Sequence, residues 1–190
     1  MDLTAAKKAL RAQARARRRT AHATSADVAA YALIAAFKRA VQPAKDAVIA
    51  GYWPAGDELD IRPLLADLDA RGHRLGLPVV VERDAPLAFR AWRPGDRLVK
   101  GNGAWVPLED AAPRTPDLLL VPLIGFDRRG TRLGQGAGYY DRTLPLLRAA
   151  RPITAIGVGY AVQELPAIPT GPYDAPLDAI LTEAGLIEIT

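Results

Sequence analysis

The chain has 190 residues, 49% hydrophobic and 24% charged, a balance that suits one globular domain and excludes long disorder. It has no cysteine and only two histidines, His22 and His73, so disulfides, thiolate metal sites and cysteine nucleophiles are excluded, and catalysis has to rest on carboxylates, cations, backbone amides or a bound cofactor. The net charge of +4 is unevenly placed: residues 1–20 hold seven Lys and Arg (Lys7, Lys8, Arg11, Arg15, Arg17, Arg18, Arg19) against one acid, Asp2.

That basic segment predicts a helix over 3–19, rich in Ala, Leu, Lys, Arg and Gln. Lys7 and Arg11, four apart, share a face of it. Charge alone leaves three readings open: a solvated basic face, a targeting or nucleic-acid arm, or an anion-binding helix folded over a site. Residues 1–20 lack an apolar stretch of the secretory kind, and no apolar run reaches the ~18 residues of a membrane span, so neither a leader nor a membrane partner is expected.

A second helix is expected over 25–40, with Thr24, Ser25 and Asp27 as cap residues. A buried strand follows at 46–53, then a loop at 54–57. A helix capped by Asp57 or Asp60 runs to Arg71 and stops at Gly72. Strands are expected at 74–81 and 87–92, a glycine-rich loop at 94–107, and a central parallel strand in the apolar run 117–124. After a glycine-rich stretch, a short helix ends at Ala150, with a strand at 153–158, a proline-rich loop at 165–176 and short strands at 180–181 and 186–189. This alternation predicts an α/β fold in a single domain over 1–190. Its central sheet is mostly parallel, with helices on both faces in a Rossmann-like three-layer arrangement.

The richest stretch is Gly130-Thr131-Arg132-Leu133-Gly134-Gln135-Gly136-Ala137-Gly138-Tyr139-Tyr140-Asp141-Arg142. Its alternating glycines allow positive φ and close approach to a ligand, successive amides can form an anion-binding nest, and a helix N-terminus follows. Arg132 adds a forked donor suited to phosphate. Tyr139-Tyr140 stand where a Walker A loop needs Lys and Ser or Thr, and the third glycine of a dinucleotide fingerprint is missing. Asp141 fits either a helix first turn or a Mg²⁺ bridging phosphate oxygens.

The run from Arg132 to Arg142 resembles the signature loop of the 5-formyltetrahydrofolate cyclo-ligase (5,10-methenyltetrahydrofolate synthetase) family. Other stretches resemble that family in order and spacing: Lys7-Lys8-Ala9-Leu10-Arg11, Trp53 with Glu58-Leu59-Asp60, Val121 to Asp127, Gln163 with Leu165-Pro166, and Asp174 to Asp178. Gln135 departs from the usual aromatic or basic residue, and Tyr173 from a common histidine.

The resemblance implies an ATP-dependent carbon–nitrogen ligase. It cyclises 5-formyltetrahydrofolate to 5,10-methenyltetrahydrofolate and releases ADP and phosphate, by phosphorylation of the formyl oxygen and attack by N10. It implies catalytic roles for Lys7, Arg11 and Arg132, and ATP binding by these with Lys8, Leu133, Gly134, Gln135, Gly136, Ala137, Gly138, Tyr139 and Tyr140. It further implies folate contacts from Trp53 and Glu58, and Mg²⁺ held by Asp141 and Asp174. Each has a plainer reading: Trp53 in the core, Glu58 early in a helix, Asp174 in a turn. Phe89, Trp92 and Trp105 could also line the pocket, but core packing is the favoured expectation for them, and His22, His73, Arg15 and Arg17 to Arg19 are expected in solvent. The expected partners are the two small-molecule substrates, without nucleic acid or membrane, for a cytoplasmic monomer or weak dimer. The alternative is a nucleotide-binding regulatory protein on the same fold, without turnover.

Overall fold

The computed structural model describes residues 3–101 and 103–189; residues 1, 2, 102 and 190 of the expected domain lie outside the described residues. Helix α1 (Leu3–Ala40) merges the two helices expected at the N-terminus and bends at Ser25, where φ is −149° and ψ 17°. No glycine or proline separates the two halves. Thr24 and Ser25 do not cap forward: their hydroxyls donate back to Thr20 O at 3.0 Å and Ala21 O at 2.9 Å, which kinks the helix instead of ending it.

Strand β1 (Val48–Ala50) leads to α2 (Arg62–Ala70), whose first turn holds Pro63 and whose preceding Asp60 accepts the Arg62 amide at 2.9 Å. Then come β2 (Arg74–Val79) and β3 (Ala88–Ala91). Two short hairpins follow where only loop was expected: β4 (Leu98–Lys100) with β5 (Trp105–Pro107), and, beyond β6 (Leu118–Pro122), β7 (Gly125–Phe126) with β8 (Arg132–Leu133). Helix α3 (Tyr139–Ala150), β9 (Thr154–Val158), a 3-10 turn (Ala161–Gln163), β10 (Ala179–Thr182) and β11 (Gly185–Glu188) complete the described chain.

The main sheet runs β11-β10-β9-β6-β1-β2-β3, with its five inner strands parallel and each edge strand antiparallel. Alternate residues of each strand feed opposite cores. Leu118, Leu120, Ile156 and Val158 pack under α1 and α2, on Leu33, Phe37, Leu64 and Leu68. Leu119, Val121, Ala155 and Ile180 pack with Leu144 of α3. Helices thus cover both faces of one α/β domain. From β1 the chain winds toward β2, and from β6 it winds the other way toward β9, so the topology switches between β1 and β6. Crevices open at the carboxyl ends of strands at such a point.

Candidate active site

A cavity of about 490 Å³ lies there. Tyr52 and Trp53 enter it beyond β1, Pro122 and Leu123 from the end of β6, and residues 132–141 wall one side. The β7–β8 hairpin delivers Arg132. Gly136 at φ 110° and Gly138 at φ 67° then turn the chain into α3, with Gly138 as its left-handed cap. Arg132 is nearly buried; its Nη2 donates to Asp141 Oδ1 at 2.7 Å and its guanidinium lies 5.4 Å from the Tyr140 ring centre. Its Nε finds no hydrogen-bond partner among the described residues. Arg142 braces the loop from outside, donating to Ala137 O at 2.6 Å and lying 5.4 Å from the centre of Tyr139.

Helix α1 closes the cavity along one stripe. Lys7 Nζ is 2.5 Å from Asp174 Oδ2, Arg11 Nε donates to Gly134 O at 2.9 Å, and Arg15 donates to Gln135 Oε1 at 2.8 Å. Lys7 and Arg11 line the cavity, whereas Lys8 is exposed and lies outside the lining. Asp174 also accepts the Gly171 amide at 2.7 Å, and the Ala175 amide reaches Asp141 Oδ1 at 3.3 Å. The two aspartates, distant in sequence, therefore meet at one wall. Burial alone would raise the Asp174 pKa, but Lys7 and the Gly171 amide hold it below the usual carboxylate range.

Tyr52, Trp53, Glu58 and Trp105 also line the cavity. Glu58 is 9% exposed and accepts the Ala55 amide at 3.1 Å and the Gln135 side chain at 3.3 Å. Burial pushes its pKa up, partly offset by the Ala55 amide, Arg18 and Gln135. Burial likewise pushes the Tyr140 and Tyr52 hydroxyls up, and Tyr52 donates to Leu59 O at 2.8 Å. Trp53 is half-buried, edge-on to Trp92 at 5.7 Å and 5.3 Å below the Arg62 guanidinium.

Several expectations are corrected. Arg18 is buried rather than solvated, because Asp57 and Glu58 draw it inward. Arg15, Arg17 and Arg19 are exposed, though Arg17 donates to Glu164 O at 3.0 Å. His73 is buried at the start of β2, and burial lowers its pKa; His22 is half-buried, 3.3 Å from the Tyr160 hydroxyl. Phe89 and Trp92 are core residues, but Trp105 stands half-exposed on the cavity because the β4–β5 hairpin projects over it. Sequence reasoning missed Tyr52 on the cavity and the buried Arg18 beside Glu58, and it favoured the core for Trp105, which lines the cavity. Gln135 lines the cavity, while Tyr173 is 87% exposed.

Residues 3–183 match the model of the 5-formyltetrahydrofolate cyclo-ligase family. The chain belongs to that family. It is 35% identical to the 5-formyltetrahydrofolate cyclo-ligase of Mycolicibacterium smegmatis, over 70% of this chain and 72% of the relative. It is 34% identical to that of Escherichia coli K12, over 69% and 75%. Among solved structures, the 5,10-methenyltetrahydrofolate synthetase of Aquifex aeolicus superposes with a TM-score of 0.78 at 26% identity, covering 96% of this chain and 92% of the other. That of Mycoplasma pneumoniae gives 0.73 at 25% identity, covering 93% and 98%. The chain is thus an enzyme of the cyclo-ligase family, and its α/β architecture is that of the known structures.

Proposed function

We propose that the cavity binds ATP and 5-formyltetrahydrofolate side by side and cyclises the folate to 5,10-methenyltetrahydrofolate, with release of ADP and phosphate. The observation that carries this reading is one cavity lined by two chemically different sets of residues: a glycine nest with Arg132, Lys7 and Arg11, and aromatic side chains with a buried carboxylate.

The reaction needs no covalent nucleophile. The formyl oxygen attacks the γ-phosphorus and ADP departs, so a poor leaving oxygen becomes a phosphate. N10 then attacks the activated carbon within the same molecule, loses its proton, and phosphate leaves. The protein has to align the γ-phosphate with the formyl oxygen and spread the charge of transfer. In this reading Lys7, Arg11 and Arg132 neutralise that charge, and the backbone from Leu133 to Tyr140 cradles the polyphosphate. Lys8, on the exposed side, adds only field.

Trp53 and Trp105 offer π-faces to the pterin, and Glu58 accepts its N–H donors. Asp141 and Asp174 fit Mg²⁺: both are hard oxygen donors on the same wall, each with one oxygen engaged by protein donors. Mg²⁺ bound there would screen the phosphate oxygens. The whole chain acts as one such domain, on small-molecule substrates, in a cytoplasm that supplies ATP and reduced folate, as a monomer or weak dimer. The test is growth of the methenyl absorbance with ATP, Mg²⁺ and 5-formyltetrahydrofolate. A folded protein that binds ATP but forms no methenyl product refutes the proposal and leaves a nucleotide-binding regulator.

A further inference from the structure

Arg18 is an anomaly on α1. It is 5% exposed, three helical turns beyond Lys7, and its Nη2 lies 2.5 Å from Asp57 Oδ1 while its Nη1 stands 3.8 Å from Glu58 Oε1. Nε and Nη1 find no hydrogen-bond partner among the described residues. A guanidinium kept out of water with donors unspent carries a desolvation cost that a surface ion pair would avoid. Both of its anionic neighbours belong to the loop between β1 and α2 that places Glu58 on the cavity wall.

We propose that Arg18 is a positioning residue for folate: it clamps the Asp57–Glu58 loop to α1 and keeps the Glu58 carboxylate aimed at the pterin. This rests on the reading of Glu58 as the folate carboxylate. Arg18 itself is not among the residues lining the cavity. It acts through the loop, and the same helix carries Lys7 and Arg11 to the cavity, so one element positions residues of both proposed subsites.

The groups that face Glu58 are Arg18 from α1, Asp57 on its own loop, Tyr52 beyond β1, and Gln135 and Tyr140 from the glycine loop and α3. Arg18 is the one cation among them. Burial already raises the Glu58 pKa, and the Ala55 amide, Arg18 and Gln135 act against that rise. Removing the Arg18 charge therefore raises the pKa further, so the folate-competent anion forms only at higher pH.

The experiment compares Arg18→Met, Arg18→Lys and the exposed-site control Arg19→Met with the parent enzyme. It reads KM for each substrate, the pH profile of kcat/KM for 5-formyltetrahydrofolate, and folate binding without ATP by tryptophan fluorescence. Arg18→Met should raise the folate KM and Kd about ten-fold or more, and move the acid limb upward. The ATP KM should move less than two- to three-fold, on the order of the scatter for non-contacting sites. Arg18→Lys keeps the charge but loses the fork, so its acid limb should stay while its folate KM rises. In a Glu58→Gln background, Arg18→Met should leave the pH profile unmoved.

A purely structural role would lower Tm and weaken both substrates together with no shift of the limb, and that result overturns the proposal. If Arg18→Met fails to fold, Arg18→Lys decides: an unchanged folate KM overturns it. Failure of the parent enzyme to make methenyl product would instead sink the functional reading. A parent that turns over, with folate binding indifferent to Arg18, sinks only this inference.

Discussion

Truncating the two cations of α1 that line the cavity, Lys7 and Arg11, tests the proposed ATP site directly. Lys7 is joined to Asp174 at 2.5 Å with side chains 13% and 23% exposed, and Arg11 holds Gly134 O at 2.9 Å. A charge-assisted bond to phosphate lost from such half-buried positions costs about 1.5–3 kcal/mol, about ten- to a hundred-fold in the ATP KM. Lys7→Ala and Arg11→Ala should each show that rise, while the folate KM changes much less. Lys7→Ala should also lower stability by about 1 kcal/mol, because Asp174 loses its ammonium partner. Arg19→Ala is the control, exposed on the same helix; Arg17 and Arg18 do not serve, since one bonds Glu164 O and the other is buried. Initial rates with each substrate varied at saturation of the other, together with thermal melts, give all the quantities. If Arg19→Ala weakens ATP as much as the other two, α1 acts only as a diffuse positive field. If neither Lys7→Ala nor Arg11→Ala moves the ATP KM, the contacts to Gly134 and Asp174 are structural and the phosphate reading of α1 is refuted.

Asp127 sits behind the site, 1% exposed, accepting the amides of Arg129 at 3.0 Å, Thr131 at 3.1 Å and Ile168 at 2.9 Å, and the Arg129 guanidinium at 2.7 Å. Asp127→Asn should cost about 2–4 kcal/mol in a urea melt, since the Asn amide group turns a donor toward donors. Burial alone would raise the Asp127 pKa, but Arg129 and the three amides hold it low. Its stabilisation is therefore complete above an unfolded value of about 4 and fades as pH falls through the lower folded value, so the parent enzyme should lose more stability than Asp127→Asn on acidification. In the glycine loop, Gly136 at φ 110° lies outside the left-handed well that side-chain residues can reach, and Gly138 at φ 67° lies within it. Gly136→Ala should then raise the ATP KM more than Gly138→Ala; equal effects in steady-state rates would contradict the strain argument.

Long or strongly patterned elements were legible in the sequence. The continuous apolar run 117–124 gave β6 because a strand covered on both faces has no polar side to alternate with. The three glycines before Tyr139-Tyr140 marked the turn into α3. The β4–β5 and β7–β8 hairpins were not legible, because strands of two or three residues are too short to show a period of two. With β4–β5 went Trp105, whose place over the cavity depends on that hairpin and on no feature of its own neighbours. The buried Asp127 escaped for a related reason: its donors come from a turn two to four residues on and from Ile168, forty-one residues away, and only the folded loop brings them together.

The division of labour among the N-terminal cations is a matter of helical phase rather than composition. At 3.6 residues per turn, Arg11 stands about 40° from Lys7 and Arg18 only about 20° from it, whereas Arg15 and Arg19 lie roughly 80° and 120° away. The structure follows that order. Lys7, Arg11 and Arg18 face inward with the buried Ala14 between them, and Arg15 and Arg19 are exposed. The side of α1 that carries Ala14 packs against Ile124, Leu133 and Leu165, so a cation in phase with Ala14 is driven toward the sheet edge and must find an anion there. The partners it finds are Asp174 for Lys7 and the Asp57–Glu58 pair for Arg18; Asp174 and Glu58 both line the cavity. One helix thus ties the loop of Asp174 and the loop of Asp57 and Glu58 to a common frame, and under the proposed function that frame would help set the distance between the γ-phosphate and the formyl oxygen.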